Sequence, residues 1–232
     1  ASNANVATAN KFISTISLAD GTGGLASNYM LPATLDSKTA PVEIAKKPVT
    51  LSASKVYDGT TALSNSQVTI GTGINGESLT ATGATASDAH VATADKFIST
   101  ITLADGTGGL ASNYKLPATL DSASAPVTIN PATLTPTLSN TGVTKVYDGS
   151  TSMAGLTIDL SNLVTNDLVG ATGVGAFSQS NVGSSLGYSI SNLTLNGADK
   201  NNYYLSGGTS LSGSNGAISA RPITLSANRA TK

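Results

Sequence analysis

ASDAHVATADKFISTITLADGTGGLASNYKLPATLDSASAPVTI, residues 86–129, repeats ASNANVATANKFISTISLADGTGGLASNYMLPATLDSKTAPVEI, residues 1–44, with most positions identical. A second signature recurs beside it: Lys55-Val56-Tyr57-Asp58-Gly59-Thr60-Thr61 returns as Lys145-Val146-Tyr147-Asp148-Gly149-Ser150-Thr151. An internal period of this length is one small domain rather than one coil of a solenoid, so the chain reads as a section of a tandem array. Arrays of this kind serve reach and valency more often than a single catalytic pocket.

Within the repeat the strand signal dominates. Phe97, Ser99, Ile101 and Leu103 alternate with Ile98, Thr100 and Thr102. Runs such as Pro48–Leu51 and Val127–Ile129 are short, rich in β-branched residues and bounded by turn residues. Apolar residues nowhere keep helical spacing for more than a turn or two. The 24 glycines and 8 prolines punctuate the strands. The expectation is an all-β chain of tandem small modules, in the form of Ig-like β-sandwiches arranged as a rod. A β-grasp-like module fits the same pattern.

Internal alignment places the module edges. Ala40–Ile44, Ala125–Ile129 and Ala217–Ala220 each precede a short strand that follows or begins with proline. On this frame residues 1–46 are the C-terminal half of a module, 47–130 and 131–221 are complete modules, and 222–232 begin another. A permuted frame starting at Ala1 and Ala86 fits equally. Proline at each junction fixes φ and restricts its predecessor, which predicts stiff linkers.

Composition narrows the functional classes. Charged residues are 11% of the chain, against about 25% in ordinary domains, and the net charge is −1. No basic stripe is present to neutralise phosphates, so nucleic acid is not an expected partner. No polybasic, amphipathic or long apolar segment predicts membrane insertion. With no cysteine, thiol catalysis and cysteine-based zinc sites are excluded. His90 is the only histidine, and its counterparts in the other copies are Asn5 and Asn181. A triad needs a histidine in each module, so no enzyme is expected, and no cofactor or metal.

Two motifs stand out as structural. Tyr57-Asp58-Gly59 and Tyr147-Asp148-Gly149 read as a turn after a strand, with Asp bonding the following backbone, Gly at positive φ and Tyr buried as an anchor. Asn28-Tyr29, Asn113-Tyr114 and Asn202-Tyr203 each follow a strand and a Gly-rich turn. That order predicts a tyrosine corner, whose hydroxyl bonds backbone a few residues upstream. The Asp105–Gly109 loop and its copy at Asp20 offer one carboxylate each, too few for calcium, and read as turns. Tyr188, Tyr204 and Lys115 lie outside the motif positions and are the candidates for a glycan- or protein-binding face.

The Lys-Val-Tyr-Asp-Gly-Thr-Thr run at 55–61, Asn181-Val182-Gly183 and Leu193–Tyr203 resemble, in that order, the YDG-type modules of large bacterial surface adhesins of the filamentous-haemagglutinin-like class, which occur beside related MBG modules. Residues 90–92 (His-Val-Ala) and the longer loop before Tyr114 depart from the pattern. The resemblance implies export, a cell-surface or biofilm-matrix location and a repetitive stalk. Its implied partners are adjacent modules of the chain, sister chains and extracellular polysaccharide. The half-module 1–46 would expose Phe12, Ile16 and Leu18 unless strands from another chain completed it.

Overall fold

Short β-branched runs between Gly and Pro turns form short strands, as the physics of a half-buried pleated surface requires. The computed structural model describes residues 1–139 and 143–226. Among them every helical segment is a three-residue 3-10 turn, so the chain is all-β and offers a β-grasp sheet no helix to wrap around. No helix among them is long and apolar enough to cross a membrane, which says nothing of β-barrels. The end of the expected following module, 227–232, lies outside the described residues, and 222–226 carry no strand.

Two compact units result where the repeats define four segments. Unit 1 comprises Ala1–Lys55, Thr61–Ala89 and Thr93–Thr128. Unit 2 comprises Val56–Thr60, His90–Ala92 and Ile129–Lys232. Unit 2 thus folds around two short segments that belong, in sequence, to the preceding repeat.

The strands of the first complete repeat are β1 (Lys47–Pro48), β2 (Thr50–Val56), β3 (Val68–Gly71), β4 (Leu79–Ala86), β5 (Ile98–Asp105), β6 (Tyr114–Lys115) and β7 (Val127–Asn130). They form a three-stranded sheet in the order β3-β2-β7, a β4-β5 hairpin and a parallel β1-β6 pair. Leu51 and Ala53 alternate with more exposed neighbours along β2, the burial pattern of one core-facing side.

Residues 1–46 keep the local bonds of their copy without its sheet. Ile13 N–H donates to the Ala40 carbonyl at 2.9 Å, as Ile98 N–H does to Ala125 at 2.9 Å, and the Phe12–Pro41 bridge mirrors Phe97–Pro126. The apolar side stays open, however. Ile16, Leu18, Leu25 and Tyr29 are exposed, whereas Ile101 and Tyr114 at the matching positions are buried.

The second complete repeat contributes β8 (Ala132–Leu138), β9 (Thr144–Val146), β10 (Ser152–Met153), β11 (Ile158–Ser161), β12 (Gly170–Phe177), β13 (Gly183–Asn196), β14 (Tyr203–Leu205) and β15 (Leu211–Ser219). One sheet runs β11-β8-β14 and the other β10-β12-β13-β15-β9. Each contains a parallel pair, β14 with β8 and β15 with β9. Val143, Phe177, Leu186 and Ile218 form a cluster on the second sheet, and Leu138 from the first packs against it. Leu134, Ile190 and Ile218 are fully buried, each contributing about 1.5–3 kcal/mol of burial free energy.

The β9–β15 pairing positions the site. It lays the Lys145-Val146-Tyr147 strand parallel to the last strand of its own repeat, with Tyr147 N–H donating to Ser219 at 2.9 Å. Tyr57 N–H donates in the same way to Asn130 at 2.8 Å.

Candidate functional site

The Lys-Val-Tyr-Asp-Gly loop is held from within. Asp148 Oδ1 accepts from Ser150 N–H at 2.9 Å and from its hydroxyl at 3.0 Å. Asp58 Oδ1 accepts the same pair from Thr60, at 3.0 and 2.9 Å. Gly59 and Gly149 take φ of +77° and +81°, a region costly for any side chain. The motif lysine ties the loop from beneath. Lys55 Nζ donates to Ala62 at 2.9 Å, and Lys145 Nζ donates to Ser150 and Ser152 and pairs with Asp148 at 2.7 Å. The lysine beside Asp148, together with the Ser150 bonds, lowers its carboxyl to a pKa of about 2.

What this loop holds out is a tyrosine. In unit 2, Tyr57 is 5% exposed, and its hydroxyl donates to Asp167 Oδ2 at 2.9 Å. Tyr203 donates to the same oxygen at 2.6 Å and accepts from Val164 N–H at 3.1 Å. The two tyrosine rings meet edge to face, centroids 5.4 Å apart at 80°, and His90 lies tilted against Tyr57 at 6.4 Å. Asn202 is buried and accepts from Val91 N–H at 2.9 Å. A Cβ on Gly59 would lie 2.8 Å from a Val164 methyl, so the loop seats against Val164. Burial first, and then the Asp167 carboxylate, push the Tyr57 hydroxyl up to about 12. The same two causes raise Tyr203.

Unit 1 builds the same seat from the matching residues. Tyr114 donates to Glu77 Oε2, a bond that with burial raises the tyrosine pKa. Asn113 Oδ1 accepts from Val6 N–H at 2.8 Å, and its amide donates to Asn5 Oδ1 at 3.0 Å. Glu77 N–H bonds the Ile74 carbonyl at 3.3 Å, as Asp167 N–H bonds that of Val164 at 3.2 Å. The correspondence is residue by residue: Ile74 for Val164, Glu77 for Asp167, Asn113-Tyr114 for Asn202-Tyr203, and Asn5-Val6 for His90-Val91.

The tyrosine-corner expectation is corrected here. The hydroxyls of Tyr114 and Tyr203 reach carboxylates on a distant loop, not backbone a few residues upstream. A 3-10 turn (Ala111–Asn113, Lys200–Asn202) instead delivers each Asn-Tyr pair into the seat. Asn28 and Tyr29 stand exposed, Tyr29 at 69%, on the open side of segment 1–46. Tyr147 is 39% exposed, next to exposed Val146, so this copy of the anchor is not interior.

The candidate binding face fares differently. Tyr204 is exposed on β14, whereas Tyr188, on β13 of the other sheet, is half-buried against the Phe177 cluster. Its ring lies over Gly213, where a Cβ would come within 2.2 Å of the hydroxyl. Lys115 is exposed on β6 of unit 1. The structure therefore gives Tyr188 and Tyr204 no shared concavity.

Sequence reasoning missed Asp167 and Glu77, although both stand equally far beyond the motif lysines Lys55 and Lys145. It also missed the buried lysines Lys11 and Lys96. Lys11 Nζ donates to the Val6 and Thr8 carbonyls at 3.0 and 2.5 Å, and Lys96 to that of Thr93, closing the loops that carry Val6 and Val91. Among the described residues no three His, Cys, Asp or Glu side chains converge as a metal site.

No curated protein and no solved structure matches the chain. Comparison with protein families matches the YDG domain twice, over residues 38–123 and 130–211. Each match contains one Lys-Val-Tyr-Asp-Gly loop, the tyrosine-binding acid (Glu77 or Asp167) and one Asn-Tyr pair. Matched over more than half its length, the chain belongs to the YDG domain family.

Proposed function

We propose that the chain is a section of the structural stalk of a bacterial extracellular adhesin or fibre, giving reach, stiffness and multivalent display. The observation that carries this reading is that unit 2 includes Tyr57 and His90–Ala92 from the preceding repeat, held by Asp167, Tyr203 and Asn202. A repeat whose core is completed by its predecessor links modules in a fixed order. Its donors and acceptors satisfy one another, as in a lock rather than a reactive centre, and the reading assigns no catalytic step and no cofactor. Adhesion then comes from weak contacts multiplied along the chain, with polysaccharide or sister chains as partners. The low charge and the hydroxyl-rich face of the β4–β5 hairpin, where Thr85 bonds Ser99 and Thr100 at 2.8 and 2.7 Å, suit such close packing.

Small-angle scattering on chains of increasing repeat number tests the stalk. The longest dimension should grow in proportion to the number of repeats. A compact particle whose size grows only as the cube root of mass would overturn it. Protease treatment of intact cells should release the repeats if the proposed surface location holds.

A further inference from the structure

The seat in unit 1 has every part of the seat in unit 2 except a tyrosine in the place of Tyr57. In that place is a cavity of about 180 Å³, lined by Asn5, Val6, Ile74, Glu77, Asn113 and Tyr114 among others. An apolar cavity of about 150 Å³ is enough to hold a benzene ring. Ala45 also lines it and aligns with Asn130 and Ser219, whose carbonyls accept from Tyr57 N–H and Tyr147 N–H. Elsewhere in the chain the reverse holds. Tyr147 projects from a Lys-Val-Tyr-Asp-Gly loop that keeps its Asp148–Ser150 bonds, after exposed Val146, with no hydrogen bond to its hydroxyl among the described residues.

We propose that this cavity is a tyrosine socket and that its occupant is the Val146-Tyr147-Asp148-Gly149 loop of a second copy of the chain. The seated Tyr57 supplies the geometry. The Tyr147 hydroxyl donates to Glu77, which already accepts from Tyr114 and as a carboxylate has lone pairs to spare. The Tyr147 ring packs edge-on against Tyr114, and Gly149 lies against Ile74 as Gly59 lies against Val164. Val182 brings its N–H toward no new acceptor, because Asn5-Val6 already fill that half of the seat. Socket and tyrosine are different surfaces, so the association is heterologous and extends into chains or closes into rings. The choice of occupant rests on the stalk reading. The readout is association between copies, whereas the stalk is tested by the dimensions of single tandem chains and can stand if the socket fails.

Sedimentation equilibrium of the chain from micromolar to millimolar concentration should show mass rising with concentration. Tyr147→Ala removes the plug from an exposed position and should weaken association about tenfold or more. Ile74→Trp fills the socket from a partly exposed position and should do the same. An equimolar mixture of the two variants, one with an intact socket and one with an intact plug, should stop at a dimer. A covalent trap reads weak association. The Gly59 Cβ position lies 4.0 Å from Val164 Cβ, within disulfide range, and the chain has no cysteine of its own. Oxidised Gly59→Cys/Val164→Cys should close within one chain, as a control. Ile74→Cys/Gly149→Cys should give a ladder of linked chains that Tyr147→Ala abolishes. A wild-type chain that stays monomeric at millimolar concentration, with no ladder from the oxidised Ile74→Cys/Gly149→Cys variant, overturns the proposal, and so does association indifferent to Tyr147→Ala or Ile74→Trp.

Discussion

Asp167 accepts two tyrosine hydroxyls on one carboxylate oxygen, and that residue decides how well unit 2 holds its borrowed segments. Hydrogen bonds to a charged group contribute about 1.5–3 kcal/mol each. Tyr57→Phe removes one such bond and keeps the ring, so urea titration should show a loss in that range. Tyr57→Ala also empties the ring's place and should cost about 3–5 kcal/mol. The pH dependence follows from the raised tyrosine. The folded pKa of about 12 lies above the unfolded value of 10.0, so the stabilisation is complete below pH 10 and declines as pH rises toward 12. In that window the unfolded chain has released the proton that the folded chain retains. Tyrosinate absorbance should show Tyr57 titrating late among the seven tyrosines, and the stability loss between pH 10 and 12 should be smaller in Tyr57→Phe.

At the scale of the element, the 3-10 turn Lys200–Asn202 presents Asn202 to Val91, a contact between residues far apart in sequence. Asn202→Ala leaves the Val91 N–H without its acceptor, at about 1–3 kcal/mol. Hydrogen exchange should show Val91 losing protection while Ile190 and Ile218, in the interior of the five-stranded sheet, keep theirs. The Lys145–Asp148 pair sits on an exposed loop, where solvent screens the charges, and Asp148→Asn should leave the urea midpoint nearly unchanged. Strand character and turns were legible in the sequence, because alternation and Asp-Gly pairs report local backbone physics. The partners of the tyrosines were not. Tyr203 finds Asp167 on another loop, and Tyr57 finds it across a repeat boundary. Periodicity of 2 says which face of a strand is buried and nothing about what it meets. The parallel pairing of β9 with β15 was hidden for the same reason.

On the scale of the whole molecule, residues 1–44 and 86–129 repeat one another, and the YDG domain matches the chain twice. Identical sequence did not give identical burial. Tyr114 is buried and Tyr29 exposed, although both sit in the sequence Leu-Ala-Ser-Asn-Tyr, because only Tyr114 has a folded sheet beside it. Burial in an array depends on neighbours as well as on the local sequence. A chain beginning at residue 131 lacks Tyr57 and His90–Ala92, and its thermal melt should fall by about ten degrees or more below that of unit 2 in the full chain. Adding residues 47–130 back in the same polypeptide should restore it.

The borrowed segments all come from earlier in the chain, never from later. Polypeptides are made from the amino end. Each newly emerged repeat therefore finds its tyrosine already displayed by the one ahead of it, and maturation advances as a ratchet whose direction is that of synthesis. A lesion in one loop then destabilises the repeat behind it and spares those in front.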